Sequence, residues 1–466
     1  MIAKRCDSVG NKHIAISLML MAAVSVAWAG SVTNYQNVAT AELGVSESWV
    51  DANGENPETA NREGVDYVVE RKFVSSNLTL QMPSSGADYE FKGDSLTLDN
   101  YTYLSWKKQT TGTGPKFTCK KLRCKYNSYL SFGLKSPGII DGGIVEIVGG
   151  TVYWSAHGER QVTISSELTG SGGLKIIGKS GSATNPHGYH YLTALNTNFF
   201  GNIHLVQNNL VNNSFYKALT LTITDGRNLG GNLSSMTPKA LWLCRYAKLI
   251  VNGTTALPAE SNRGILIGES SGRVGRIAVA AGKTFRIETQ IGLDGALHKE
   301  SDGILELAGA MNFGSNGTAS TPTADLNGLV VSGGVVRVCS ADAINGAAVL
   351  FGSTGAMELA VDTSDATLSR YGIRNVKTDT PFALPEGVDK LPLTIHTNGM
   401  AVASTFSVGV LTVSSDAADT VRAMLPAFSN PYRGYKMKPT EATDAETGAV
   451  TFGLAFVKCG MTISVR

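Results

Sequence analysis

The chain has 466 residues, of which 40 are basic and 38 acidic, so its formal net charge is +2. Without positions 1–29 the chain loses three basic residues and one acidic residue and carries no net charge. This balance excludes a general electrostatic attraction to nucleic acid or to an anionic membrane. Charged residues make up only 17% of the chain, and its 52 glycines favour β-structure with many tight turns.

Positions 1–29 have the pattern of a secretory signal peptide. Three basic residues precede an apolar run from Ile14 to Trp28, and Ala27 and Ala29 are the small residues that a signal peptidase reads. The run is shorter than the roughly 20 residues that span a bilayer, so we interpret it as a cleaved signal rather than an anchor. No later segment resembles a transmembrane helix. The sequence therefore predicts a secreted or cell-surface protein without an integral membrane segment after cleavage.

Residues 30–60 are polar and weakly patterned, and we interpret them as an N-terminal leader or cap. From Val65 onward the chain shows short apolar–polar alternations bounded by glycine, asparagine, aspartate or serine, which is typical of β-strands. Many short strands also fit a sandwich or barrel. The absence of a composition shift over residues 61–380, with recurring glycine pairs, favours a solenoid. Residues 381–466 are expected to form a small C-terminal β-rich cap domain.

Two segments, 162–175 and 283–299, share the order strand, glycine cluster, leucine, basic residue, with Leu174 and Leu297 separated by 123 positions. The second segment continues into further glycines, leucines and an Asn-aromatic-Gly corner, through Gly295, Leu297, Lys299, Gly303, Leu305, Leu307, Gly309, Asn312, Phe313 and Gly314. Through these residues the chain resembles the autotransporter-associated β-strand repeat family over roughly residues 160–360. The resemblance implies a right-handed parallel β-helix in an exported bacterial passenger protein. The translocator domain usual in that family is not recognisable here.

Cysteines and histidines give no clear metal site. Cys119 and Cys124 are separated by four residues, which does not fit zinc-ribbon spacing; a disulfide and a pair of half-buried thiols both remain open. His187 and His190 form an H-x-x-H pair without a third ligand nearby, and we interpret them as exposed loop histidines. No metal or cofactor is predicted.

One charge cluster suggests a binding surface. Lysine and arginine concentrate between residues 106 and 126, interleaved with aromatic residues. The candidate glycan-binding face consists of Trp106, Lys107, Lys108, Lys120, Lys121, Arg123, Lys125 and Tyr126. Aromatic rings stack on sugars, and basic side chains pair with carboxylates or sulfates. A solvated strand face is the alternative interpretation.

No catalytic motif is recognisable. Asp141 and Glu146 are the best local carboxylate pair, but a separation of five residues puts them on opposite faces of an unbroken strand. The sequence therefore predicts a non-enzymatic, exported β-helix scaffold at the bacterial surface or in the extracellular matrix. We expect it to be adhesive, with a polysaccharide or a host or matrix surface as partner. The alternative is a carbohydrate-active β-helix enzyme, a polysaccharide lyase or hydrolase.

Overall fold

The computed structural model of the chain is a parallel β-helix with a small additional sheet near its C-terminal end. It describes residues 32–36, 40–57, 61–70, 78–83, 87–106, 115–133, 137–157, 161–179, 188–207, 219–268, 274–313, 328–344, 347–361, 373–375, 381–397, 406–431 and 434–459. The prediction of an all-β parallel β-helix is confirmed.

Three long sheets form the faces of the helix, and successive coils contribute neighbouring parallel strands. Sheet A has seven strands: β1 (Val32–Gln36), β3 (Trp49–Val50), β4 (Val65–Val69), β7 (Ser95–Leu98), β10 (Lys121–Lys125), β13 (Ile144–Val148) and β16 (Glu167–Gly170). Sheet B has eleven: β2 (Thr40–Glu42), β5 (Leu78–Gln81), β8 (Thr102–Ser105), β11 (Tyr129–Phe132), β14 (Thr151–His157), β17 (Gly173–Lys179), β19 (Ile203–Gln207), β21 (Thr237–Cys244), β24 (Arg263–Ile267), β27 (Ile291–Leu293) and β30 (Met311–Phe313).

Sheet C is the longest. Its strands are β6 (Tyr89–Phe91), β9 (Lys116–Cys119), β12 (Gly138–Asp141), β15 (Gln161–Ile164), β18 (Tyr189–Leu192), β20 (Thr220–Ile223), β22 (Lys248–Val251), β23 (Thr255–Leu257), β25 (Val274–Val279), β26 (Thr284–Ile287), β28 (Ala296–Glu300), β29 (Ile304–Leu307), β31 (Gly328–Val338), β32 (Ala348–Val361), β34 (Phe382–Ala383) and β35 (Leu393–Thr397). β31 pairs with β28 along its first half and with β29 along its second half, so it joins two stacks of shorter strands.

The remaining sheet, sheet D, lies near the C-terminal end. It comprises β33 (Ile373–Asn375), β36 (Phe406–Val413), β37 (Tyr435–Thr443) and β38 (Val450–Lys458), with the helix α1 (Ser415–Met424) between β36 and β37. β36, β38 and β37 pair antiparallel. The two short strands β34 and β35 instead pair with β32, so residues 382–397 contribute to the last coils of the helix. Short 3-10 turns occur at Ser46–Ser48, Gly226–Leu229 and Ala259–Ser261.

Alternation within each strand builds the core. In β10, Leu122 and Cys124 point inward, where they stack in register on Leu96 and Leu98 of the preceding coil. Similar alternation on successive coils produces interior columns of buried aliphatic and aromatic side chains. A solenoid core of this kind grows by one layer per coil, so a low-charge, glycine-rich sequence can still bury a large apolar area.

Glycine is sterically required at several corners. Gly143 has a φ of +62°, and a Cβ there would lie 2.1 Å from the carbonyl oxygen of Cys119 on the neighbouring coil. At the pair Gly142-Gly143 the chain therefore turns from sheet C to sheet A and approaches another backbone closely.

Two buried cations, Arg263 and Lys299, form hydrogen bonds with backbone carbonyl groups at corners of the coils. The guanidinium of Arg263 donates to the carbonyl oxygens of Phe199 (2.6 Å), Gly201 (3.0 Å) and Gly231 (2.7 Å). Burial lowers the pKa of Arg263 to about 10. Lys299 donates to three carbonyl oxygens in the same way, including that of Gly333 at 2.8 Å, and burial lowers its pKa to about 8. These side chains donate hydrogen bonds to buried carbonyl groups where the chain turns between strands.

The structure changes several details of the sequence-based interpretation. Leu174 lies in β17 of sheet B, whereas Leu297 lies in β28 of sheet C, so the two similar segments share an order of elements but not a position in the coil.

The interpretation of His190 as an exposed loop residue is wrong, because its side chain points inward from β18 and is fully buried. His187 lies outside the described residues. Cys119 and Cys124 are free thiols, and both are buried rather than half-buried.

Candidate functional site

The basic cluster that the sequence singles out lies mainly on the outer surface of sheet A. Lys121, Arg123 and Lys125 project outward from β10, because their alternating neighbours fill the core. Each described basic residue of the cluster meets a carboxylate: Lys116–Asp141 (3.0 Å), Lys120–Asp94 (2.9 Å), Lys121–Glu146 (2.9 Å), Arg123–Glu146 (2.7 Å) and Lys125–Asp99 (2.9 Å). The surface is therefore a ladder of ion pairs between neighbouring coils, with little unbalanced positive charge to attract an acidic glycan.

Not all residues of the predicted glycan-binding face are accessible to a glycan. Trp106 is 1% exposed and stacks on Phe132 with ring centroids 4.2 Å apart, so its assignment to a binding face is wrong. Tyr126 is 53% exposed, as such a face requires. Lys107 and Lys108 lie outside the described residues. Trp106 is buried because its position in the strand alternation places it inside the coil.

A different surface, on the outside of sheet B, brings aromatic side chains together. Tyr103, Tyr129 and Tyr153 occupy the same register position on three successive coils. Their rings are stacked, with centroids 4.5 and 4.6 Å apart and interplanar angles of 15° and 11°. Further along the same column, His204 stacks on Trp242 at 3.9 Å and 8°. We call these five side chains the aromatic row.

Lys175 interrupts the aromatic row. It occupies the register position between Tyr153 and His204, so one face of each of these rings is not covered by another ring of the row. Between stacked rings, only ring edges and hydroxyl groups are left for a ligand. A sugar, which stacks on aromatic faces through its C–H groups, can therefore contact ring surfaces beside Lys175.

A cavity of about 420 Å³ opens at this interruption. Its lining includes three members of the aromatic row, Tyr153, His204 and Trp242. The other lining residues are Thr151, Gly173, Leu174, Lys175, Asn202 and Lys239. We call this cavity the sheet-B pocket. It combines ring surfaces with hydroxyl, amide and ammonium groups, a mixture typical of small-molecule and sugar sites.

The charge of the sheet-B pocket differs from that of sheet A. Within the part of the chain that the structure describes, no carboxylate lines the pocket, and Lys175 and Lys239 form no ion pair. The ammonium of Lys239 lies 5.0 Å from the centroid of the Trp242 ring, a cation–π arrangement. Two cations without acidic partners thus face a cavity that also contains aromatic rings.

Neighbouring contacts hold the rings of the sheet-B pocket in place. The indole nitrogen of Trp242 donates to the carbonyl oxygen of Gly268 at 2.7 Å. His204 lies 3.2 Å from the thiol of Cys244, between its Nε2 and the Sγ atom. Cys244 itself is buried beside Ile177 and Val206, and Tyr153 and Trp242 pack against this small cluster. A second apolar cluster outside the main core therefore flanks the pocket on the same face of sheet B.

The carboxylates that are candidates for catalysis on the helix surface are engaged in ion pairs. Asp141 and Glu146 lie on different sheets, and hydrogen bonds from Ser165 and Lys116 lower the pKa of Asp141. On sheet C, the column Arg286, Glu306, Arg337 and Glu358 alternates in charge: Arg337 bonds Glu306 at 2.6 Å and Glu358 at 2.8 Å. A general acid of a glycosidase needs a raised pKa, and Asp141 shows the opposite.

A cavity of about 490 Å³ lies beside α1 on sheet D. Its lining is mainly apolar, from residues such as Leu425, Phe428 and Phe452. The guanidinium of Arg422 at its edge already bonds Glu441 at 2.6 Å and also contacts Asp419. The cavity beside α1 therefore offers fewer groups for binding a polar ligand than the sheet-B pocket does.

Metal-binding clusters and membrane-spanning helices are missing from the described residues. No three histidine, cysteine, aspartate or glutamate side chains there come together in a way that could hold a metal ion. None of the described helices is long and apolar enough to cross a membrane. Comparison of the chain with family models, curated proteins and solved structures finds no match.

Proposed function

We propose that this protein is an exported, non-enzymatic β-helix scaffold that binds glycans through the outer surface of sheet B. The observation that carries the proposal is the aromatic row and its interruption at Lys175, where ring faces, a cavity and two lysines without an ion pair among the described residues occur together. The signal-like segment 1–29 supports export. The resemblance to autotransporter passenger repeats likewise predicts an exported protein.

The rigidity of the fold supports a binding role. Each ring of the aromatic row stands on a strand whose neighbours on both sides are hydrogen-bonded in register, so the spacing of the rings is set by the spacing of the coils. A surface that is ordered before binding loses little conformational entropy when a ligand arrives. A polymer with repeated sugar units can contact several rungs of such a surface at once.

Affinity electrophoresis tests this proposal. The purified protein is run through native gels that contain neutral or acidic polysaccharides, at low and at high salt. We expect acidic polysaccharides to retard the protein at low salt, and the retardation to decrease as salt screens the two lysines. Unchanged mobility with every polysaccharide at low salt contradicts the proposal.

A carbohydrate-active enzyme is the second candidate, favoured by the alternating arginine–glutamate column on sheet C. Because each of these glutamates is bonded to an arginine, the column resembles a stabilising ladder more than a catalytic pair. Incubation with pectins, alginates and mucins distinguishes the two functions: release of reducing ends or unsaturated uronates supports the enzyme, and intact polysaccharide supports the scaffold.

A further inference from the structure

We propose that the sheet-B pocket is a subsite for a single sugar residue that carries an anionic group, with Gly173 providing the space for it and Lys175 and Lys239 binding its charge. This inference rests on the proposed glycan-binding function and specifies the class of sugar. The interruption of the aromatic row at Lys175 is then the place where the anionic sugar residue binds. Along the rest of the row, neutral sugar units contact ring edges and hydroxyl groups.

Gly173 is the first argument, because neither backbone conformation nor packing requires a glycine there. Its φ is not positive, and an added Cβ would meet the nearest atom, Thr151 Oγ1, at an ordinary contact distance of 3.6 Å. The adjacent glycines differ. Gly170 has a φ of +93° and a Cβ there would lie 2.3 Å from a backbone oxygen, while one on Gly172 would lie 2.8 Å from Ile147. Of these three glycines, Gly173 alone can be explained by the open space that it leaves in the pocket.

Charge is the second argument. The ion-pair ladder of sheet A shows that this chain supplies acidic partners to outward-facing lysines on neighbouring coils. Lys175 and Lys239 line the same cavity and lack such partners within the described part of the chain. An anion bound in this cavity would be attracted by both ammonium groups. The pocket therefore favours a carboxylated or sulfated sugar over a neutral one.

The other polar groups of the sheet-B pocket are the third argument. Thr151 and Asn202 line the pocket together with Gly173, and their hydroxyl and amide groups can donate to and accept from sugar hydroxyls. Tyr153 and His204 border the same space with ring surfaces. One pyranose unit contains all the groups that these side chains recognise: an apolar C–H surface, hydroxyls and an anionic substituent.

Isothermal titration with defined oligosaccharides tests the proposal. The probes are oligogalacturonate, its neutral methyl ester and a sulfated heparin oligosaccharide. We expect at least about tenfold tighter binding of one anionic probe than of the methyl ester, and the stronger anionic probe identifies the anionic group. Gly173→Leu fills the pocket and should weaken anionic binding by at least about tenfold, as should the double variant Lys175→Gln/Lys239→Gln.

Matched variants separate pocket effects from folding effects. Gly292→Leu adds the same side chain elsewhere on sheet B, where the nearest atom to the new Cβ belongs to the flexible end of Leu266. Lys120→Gln removes a lysine that is paired with Asp94 on sheet A. Both controls should bind like the natural chain. Gly173→Ala, which fits without strain, provides a milder test should Gly173→Leu fail to fold.

The outcomes also separate this inference from the proposed function. If no polysaccharide or oligosaccharide binds, both fail. If glycans bind but the methyl ester binds as tightly as the anionic probes, or Gly173→Leu and Gly173→Ala leave anionic binding unchanged, the subsite is wrong and the general glycan-binding function remains.

Discussion

His190 should make the β-helix sensitive to mild acid. Its imidazole is fully buried, faces the Trp154 ring edge-on at a centroid distance of 4.7 Å, and lies in register between Val162 and Leu221. Burial, the larger effect, lowers the pKa of His190 to about 3, against a smaller opposing contribution from the backbone of Thr220. In the unfolded chain the pKa of histidine is about 6.5.

The sign of the effect follows from these two values. Between about pH 6.5 and pH 3 the unfolded chain binds a proton at His190 and the folded chain does not. Acidification through this window therefore stabilises the unfolded state. The free energy of unfolding should fall by about 2 kcal/mol between pH 7 and pH 5 because of this group alone.

Urea unfolding of the natural chain and of His190→Leu at pH 7 and pH 5 measures this contribution. Tryptophan fluorescence is a suitable signal, because Trp154 contacts the imidazole. Carboxylate titrations affect both proteins equally, so the natural chain should lose about 2 kcal/mol more than the variant on acidification. Parallel losses in the two proteins would refute the reasoning, because they would mean that His190 accepts its proton in the folded state.

Three other predictions concern the fold. Arg263→Met should destabilise the chain by at least about 3 kcal/mol, measured by chemical denaturation, because it removes three buried, charge-assisted hydrogen bonds to carbonyl oxygens; a loss below about 1 kcal/mol contradicts this. Cys119 should resist alkylation of the native protein, because burial raises the pKa of its thiol to about 12, whereas the exposed Cys459 should react quickly, as peptide mapping by mass spectrometry will show. Arg123→Gln should change stability by no more than about 1 kcal/mol in denaturant unfolding, since its ion pair with Glu146 is partly exposed.

Much of the fold can be predicted from the sequence, because the strand signal is local. Alternation such as that in β10 and glycine pairs at corners are readable without knowledge of the coil length. The position of a segment within the coil cannot be predicted from such local patterns. Leu174 and Leu297 follow similar local patterns but lie on different sheets, because coil lengths vary: the register partners Leu130 and Trp154 are much closer along the chain than the register partners Leu205 and Leu243.

The candidate site is harder to predict, because it depends on contacts between coils. The basic cluster looks unpaired in sequence, since its acidic partners are distant along the chain: Asp99 lies well before Lys125, and Glu146 well after Arg123. The alternation of Tyr189–Leu192 is too short to indicate by itself that His190 lies in a strand. The regular recurrence of Tyr103, Tyr129 and Tyr153 is the available signal for the aromatic row, once a constant coil length is assumed.

In the proposed function, the outer surface of sheet B binds glycans and the basic surface of sheet A does not. Binding of oligogalacturonate to two double variants distinguishes the two surfaces: Tyr153→Ala/Lys175→Gln on sheet B and Lys121→Gln/Arg123→Gln on sheet A. We expect at least about a tenfold loss of affinity for the sheet-B variant and an affinity close to that of the natural chain for the sheet-A variant. Loss of binding in the sheet-A variant alone would contradict it.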